Sequence, residues 1–156
     1  MDAKTRQQLI QQYKDGYRVV SDALEKISDA ELDARPGPGK WSVREIVHHL
    51  ADAEMIGGLR LRMLLASERP TIVSYDQDEY ARRLHYDRPI DTSLGAFRAA
   101  RASAAELLDH MSEAEWQREG VHSEAGRYTM ERWLELYAAH AHAHAQQIAV
   151  ARKAAT

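Results

Sequence analysis

The chain has 156 residues, 44% hydrophobic and 29% charged, with a formal net charge of −3, the make-up of one globular domain spanning residues 1–156. Its charges are interspersed without a basic block, which argues against a nucleic-acid partner, and no apolar run approaches the roughly 20 residues of a membrane span. The start lacks a signal-peptide core, so a cytoplasmic location is expected; cysteine is absent, so any metal must be held by His and carboxylates.

Leu9, Ile10, Tyr13, Tyr17, Val20, Leu24 and Ile27 recur at helical spacing and predict an amphipathic helix over residues 4–27, with Gly16 a weak point. Ser28 with Glu31 reads as a capping box that opens a short turn, and the Arg35-Pro-Gly-Pro-Gly39 stretch breaks the chain. Ser42 with Glu45 is a second capping box, opening a helix to about Ser67 with Ile46, Val47, Leu50, Ala53, Ile56 and Gly57 on its apolar stripe. On that helix His49 looks inward and His48 away, while Arg60 falls on the edge that carries His49.

Residues 69–90 form a long connection, with an extended piece at Thr71-Ile-Val73 and a short helix capped by Asp76. A connection of this length crosses a bundle or lies over a functional opening. Asp91 is read as the cap of a third long helix, Thr92 to about Met111, with Leu94, Phe97, Leu107 and Leu108 inward and Arg98 and Arg101 on a solvated face. Ser112 with Glu115 repeats the capping box, and a polar loop through Gly120, His122 and Gly126 leads to Thr129 and the fourth long helix.

That last helix carries His140, His142 and His144 among alanines. His140 and His144 stack one turn apart on the stripe of Trp133, Leu136, Tyr137, Gln147 and Ile148, and His142 faces the other way. Four long amphipathic helices make an all-α, four-helix bundle, whose core is where facing helices build metal sites. If the second and fourth helices run antiparallel as neighbours, His49, His140 and His144 converge as ligands of a divalent metal. Three imidazoles leave a fourth position open, as catalytic sites do. His85, His110 and His122 are read as surface or loop residues, His122 being the spare ligand or acid–base group. Asp52 could orient an imidazole, His48 as well as His49.

The stretches Lys40-Trp-Ser-Val-Arg-Glu-Ile-Val-His-His-Leu-Ala-Asp52, Arg60, Pro70-Thr-Ile with Tyr75, Asp76 and Tyr80, His122-Ser-Glu-Ala-Gly126 and Tyr137-Ala-Ala-His-Ala-His-Ala-His-Ala-Gln-Gln-Ile148 together resemble the DinB-like, bacillithiol S-transferase superfamily. The resemblance implies an up-down-down-up bundle, a homodimer, and zinc or nickel on His49, His140 and His144. It further implies a metal-dependent transferase that joins a low-molecular-weight thiol, of bacillithiol or mycothiol type, to a small electrophile. Arg60 would then suit a carboxylate of the thiol. The alternatives are a metal-dependent hydrolase using the same metal and a non-catalytic metal or small-ligand binding module. The sequence departs from the resemblance after His122, where Ser-Glu replaces the Pro-Glu or Pro-Asp common in relatives.

Overall fold

The computed structural model describes residues 1–155. Four long helices form it: α1 (Ala3–Ala23), α3 (Val43–Ala66), α5 (Asp91–His110) and α7 (Met130–Arg152). Short helices α2 (Asp29–Asp33), α4 (Gln77–Arg83) and α6 (Glu113–Trp116) sit in the connections, and a single 3-10 turn follows α7. Three small strands complete the fold: β1 (Thr71–Ile72), β2 (Glu119–His122) and β3 (Gly126–Thr129).

The helix starts follow local chemistry. Ser28, Ser42 and Ser112 each accept from the backbone N–H three residues on, and the glutamate at that position reaches back to the serine N–H, closing three capping boxes. Asp76 caps α4 as its sequence suggests, accepting from Asp78 and Glu79. Asp91 does not cap α5: it lies inside the first turn after Ile90, and no side chain makes the cap. A carboxylate there still faces the positive end of the helix dipole. The first helix ends at Ala23, earlier than the apolar spacing through Ile27 suggests, because Lys26 turns the chain with a φ of 54°.

Side-chain pairings fix the helix directions. Gln12 and Ala23 on α1 meet His142 and Arg152 on α7, so these two helices run parallel. His48 and Glu54 on α3 meet Ser93 and Arg101 on α5, which are parallel as well. Lys14 meets Asp109, making α1 and α5 antiparallel, and Gly57 meets Trp133, making α3 and α7 antiparallel. The bundle is therefore up-down-down-up, and the neighbours of α1 are α7 and α5 rather than α3. Neighbouring parallel helices need a long return, which the 67–90 connection supplies.

The polar loop expected at residues 120–126 is a hairpin instead. β2 pairs antiparallel with β3, from Glu119 opposite Thr129 to His122 opposite Gly126, and parallel with β1. Gly126 turns the hairpin with a φ of 75°, and Gly120 lets the Pro70 carbonyl approach to a distance no Cβ would permit. β3 runs straight into α7, whose cap is Thr129.

Two apolar clusters fill the bundle, one around Tyr13, Leu61, Leu64, Trp133 and Leu134, the other around Val47, Leu50, Phe97 and Ile148. Arg101 sits between them and is 2% exposed, contrary to the solvated face its sequence suggests. Its guanidinium lies 4.2 Å from the Tyr13 ring and 5.2 Å from that of Phe97. It bonds to Glu54, itself 0% exposed, and to the carbonyls of Tyr13 and Tyr137. The Tyr13 hydroxyl donates to the other Glu54 oxygen. Burial pushes the Glu54 carboxyl up while Arg101 pulls it down. Gly16 makes the notch for this guanidinium: a Cβ there would stand 2.1 Å from an Arg101 nitrogen.

Candidate metal centre

α3 contacts both α5 and α7, so it buries a wide arc, from Ile46 through Ala51 without a gap. His48 and His49 are consequently both buried, facing opposite neighbours. His48 turns to α5, with Nδ1 2.7 Å from Ser93 Oγ and Nε2 3.0 Å from the Arg88 carbonyl oxygen. Its expected outward position is therefore wrong. His49 turns to α7, where His140 and His144 are held one turn apart, the inward placing anticipated for all three.

The three Nε2 atoms point at one another. His49 Nε2 is 3.2 Å from His140 Nε2, which is 3.1 Å from His144 Nε2, and one ligand atom from each ring lies within 4.8 Å of the others. Hydrogen bonding alone accounts poorly for this convergence. At His140 Nε2 a single lone pair or a single proton would have to serve both neighbours. A tetrahedral ion with bonds of about 2.0–2.1 Å sets its nitrogen ligands about 3.3 Å apart, close to the spacings observed.

Proton placement agrees with ligation. The Gln147 side-chain oxygen lies 2.9 Å from His144 Nδ1 and accepts its proton, which leaves Nε2 of that ring with its lone pair aimed at the centre. Nδ1 of His49 and of His140 are buried without a hydrogen-bond partner among the described residues. Burial, with the neighbouring imidazole His144, depresses His49 to about 3 and His140 to about 2; burial also lowers His144. All three rings are thus neutral at physiological pH, the form that binds a metal.

One side of the trio is open. A cavity of about 840 Å³ reaches His49, His140 and His144, with Trp41, Ile46 and Val150 as apolar walls and Lys40, Gln77 and Asp78 at polar positions. The Trp41 ring lies 4.7 Å from that of His49. The short helix α4 thus contributes to the mouth through Gln77 and Asp78, as a long connection over an opening would. Among the described residues, none lining this cavity is a fourth histidine, and Asp78 is its sole carboxylate.

The remaining sequence candidates fall elsewhere. Asp52 orients neither histidine, since its carboxylate accepts from the Tyr86 hydroxyl at 2.6 Å. Arg60 lies outside the histidine cavity, donating to the Val73 carbonyl at 2.8 Å and to the Tyr137 hydroxyl at 3.4 Å. Leu136 is 40% exposed and does not share the stripe of Tyr137. His142 points away from the trio as expected, and there it meets α1, bonding to the Gln12 carbonyl. His85 and His110 are exposed, and His122 belongs to the hairpin, its Nδ1 accepting from the N–H groups of Glu124 and Ala125. Trp41 and Gln147 complete the site, roles that helix-face spacing does not reveal.

A profile of the DinB superfamily matches residues 12–148 of the chain. A protein of Oceanobacillus iheyensis, provisionally named a metal-dependent hydrolase, is 30% identical over 139 residues, or 89% of this chain and 81% of its own. A protein of Halalkalibacterium halodurans with the same provisional name is 26% identical, over 81% of this chain and 76% of its own. Among solved structures, YfiT from Bacillus subtilis superposes with a TM-score of 0.91 at 26% identity, covering 98% of this chain and 89% of that one. YfiT is likewise provisionally described as a metal-dependent hydrolase, with an unusual four-helix bundle topology.

Proposed function

The chain belongs to the DinB superfamily, and from that membership and the site geometry we propose that it is a metal-dependent enzyme acting on small molecules. His49, His140 and His144 would hold a divalent zinc or nickel ion through their Nε2 atoms. The observation that carries this reading is the convergence of three neutral imidazole nitrogens, two on buried residues and one on a partly buried residue, at one open cavity. When bound, the ion supplies a Lewis acid that lowers the pKa of a small nucleophile at its open position.

We read that nucleophile as a low-molecular-weight thiol and the reaction as S-transfer to a small electrophile. The thiol proton leaves to solvent, the sulfur forms a bond to the electrophilic carbon, and the leaving group departs with the electron pair of the broken bond. Two features support a thiol over water. Among the described residues no carboxylate hydrogen-bonds to the three imidazoles, and Asp78, the one acid lining the cavity, is exposed. A thiol, more acidic than water by several pKa units, depends less on a positioned base. The cavity also offers apolar walls, Trp41, Ile46 and Val150, for the organic parts of two reactants. Gln147 holds the His144 tautomer throughout. The second reading, hydrolysis, is favoured by the names of the relatives. We further read the protein as a cytoplasmic homodimer.

Metal analysis of untagged protein tests the centre. About one ion per chain is expected in the wild type, and loss of it in both His49→Ala and His140→Ala. Wild-type protein that takes up neither zinc nor nickel would overturn the reading. With metal bound, turnover of an electrophile that consumes a thiol mole for mole supports transfer; equal turnover without thiol would replace it with hydrolysis.

A further inference from the structure

A second cavity, of about 570 Å³, opens among α3, the hairpin and the start of α7. Arg60, Arg127, Arg132 and His122 line it, together with Tyr128 and Leu136, and none of its lining residues is acidic. Arg127 bonds to Glu119 at 2.6 Å, and Arg132 lies 3.6 Å from Glu135; both pairs are largely solvated, so neither spends the cation's charge fully.

Arg60 is in a different situation. It is half-buried, beside the Tyr75 ring at 5.8 Å, and its partners are the neutral oxygens of Val73 and Tyr137. It makes no ion pair among the described residues, and a cation partly withdrawn from water gains most from a nearby anion. The hydrogen bonds that His122 Nδ1 accepts place the ring proton on Nε2, a donor with no protein acceptor among the described residues. The Tyr128 hydroxyl, on a residue 3% exposed, lies beside the Arg60 guanidinium and has no acceptor for its proton among the described residues. Thr129, the cap of α7, brings the positive end of a helix to the same wall.

We propose that this cavity binds the carboxylate or phosphate group of a small molecule, with Arg60 as the principal clamp and Arg132 and His122 as supporting donors. Arg60 touches the Tyr137 hydroxyl, and the Tyr137 ring lies 6.3 Å from that of His140. A molecule anchored at Arg60 is thus one side chain away from the three imidazoles. The anion site does not require the metal reading: its donors are protein groups that remain when the centre is empty.

Isothermal titration calorimetry at low ionic strength tests this, using the full chain treated with chelator, titrated with inorganic phosphate and separately with succinate. One saturable site per chain is expected for at least one of the two, and which of them saturates identifies the group bound. The same binding is expected in His140→Ala and in Arg98→Gln, whose arginine is exposed on α5. A rise in Kd of about tenfold or more is expected in Arg60→Gln and in Arg132→Gln, the loss of one charge-assisted hydrogen bond. Circular dichroism establishes that Arg60→Gln is folded; should it unfold, the exposed Arg132 carries the comparison. No saturable heat with either anion, or undiminished binding in the folded arginine variants, would overturn the proposal. Loss of binding in His140→Ala would move the anion to the histidine centre and overturn it equally.

Discussion

Gln147 makes one contact that matters at the centre: it accepts the His144 Nδ1 proton and so decides which nitrogen of that ring is free to ligate. Leucine fills a similar volume but accepts nothing, so Gln147→Leu is expected to weaken metal binding by roughly 10–100-fold, with Gln147→Glu retaining it. Competition against a chromophoric chelator reads both; equal affinity in the leucine variant would show that the tautomer is set by the metal alone. Single residues were legible where one helix face sufficed. His49, His140 and His144 each follow from the stripe of their own helix. Arg101 follows Phe97 by four and precedes Leu108 by seven, so its spacing was that of the core, and only its charge argued otherwise. What stabilises it lies on other segments, the Glu54 carboxylate of α3 and the notch at Gly16 of α1. His48 was misplaced for a related reason: a helix with partners on two sides buries adjacent residues that a single stripe would separate.

Among elements, the helix starts were the most legible part of the chain, because a capping box is closed within four residues. Ser42→Ala removes the acceptor for the Glu45 N–H at the head of the helix that carries His49. The expected cost is about 1 kcal/mol, read as a lower urea midpoint at unchanged slope. A midpoint equal to that of the wild type would mean that tertiary packing alone fixes this helix start. The hairpin was not legible. Its strands are four residues each, mostly polar, and its pairing partner Thr71–Ile72 lies about fifty residues earlier in the chain. Short polar strands carry no alternation strong enough to distinguish them from a loop.

For the molecule as a whole, the three neutral imidazoles tie stability to pH. In the unfolded chain each titrates near 6.5, whereas burial holds His49 to about 3 and His140 to about 2 in the folded state. Between these values the unfolded chain binds more protons. Metal-free protein therefore keeps its full stability above about pH 6.5 and loses it as the pH falls toward the folded values, by up to about 1.4 kcal/mol per unit for each ring. Glu54, with its carboxyl pushed up, contributes the opposite slope. His140→Gln retains that residue, so the difference between wild type and variant isolates the imidazole. Urea midpoints should fall more steeply in the wild type between pH 7.5 and 5.5; parallel slopes would indicate that the ring takes up its proton in the fold as readily as in the unfolded chain.

The parallel pairing of α1 with α7 also governs when the protein can assemble. Its first and last long helices lie side by side, and α3 receives His140 and His144 from that same last helix. As the chain emerges from a ribosome, α5 can pack on α3 and on α1, but the faces of α1 and α3 that α7 covers stay bare. None of them can close the core until α7 has been made. A simple up-and-down bundle could pair each new helix with the one before it, whereas α3 packs on α5 and α7 rather than on α1. Here the nascent chain must wait, open to chaperones and to sticking, and the closed bundle and its three-histidine centre come into being together once α7 is available.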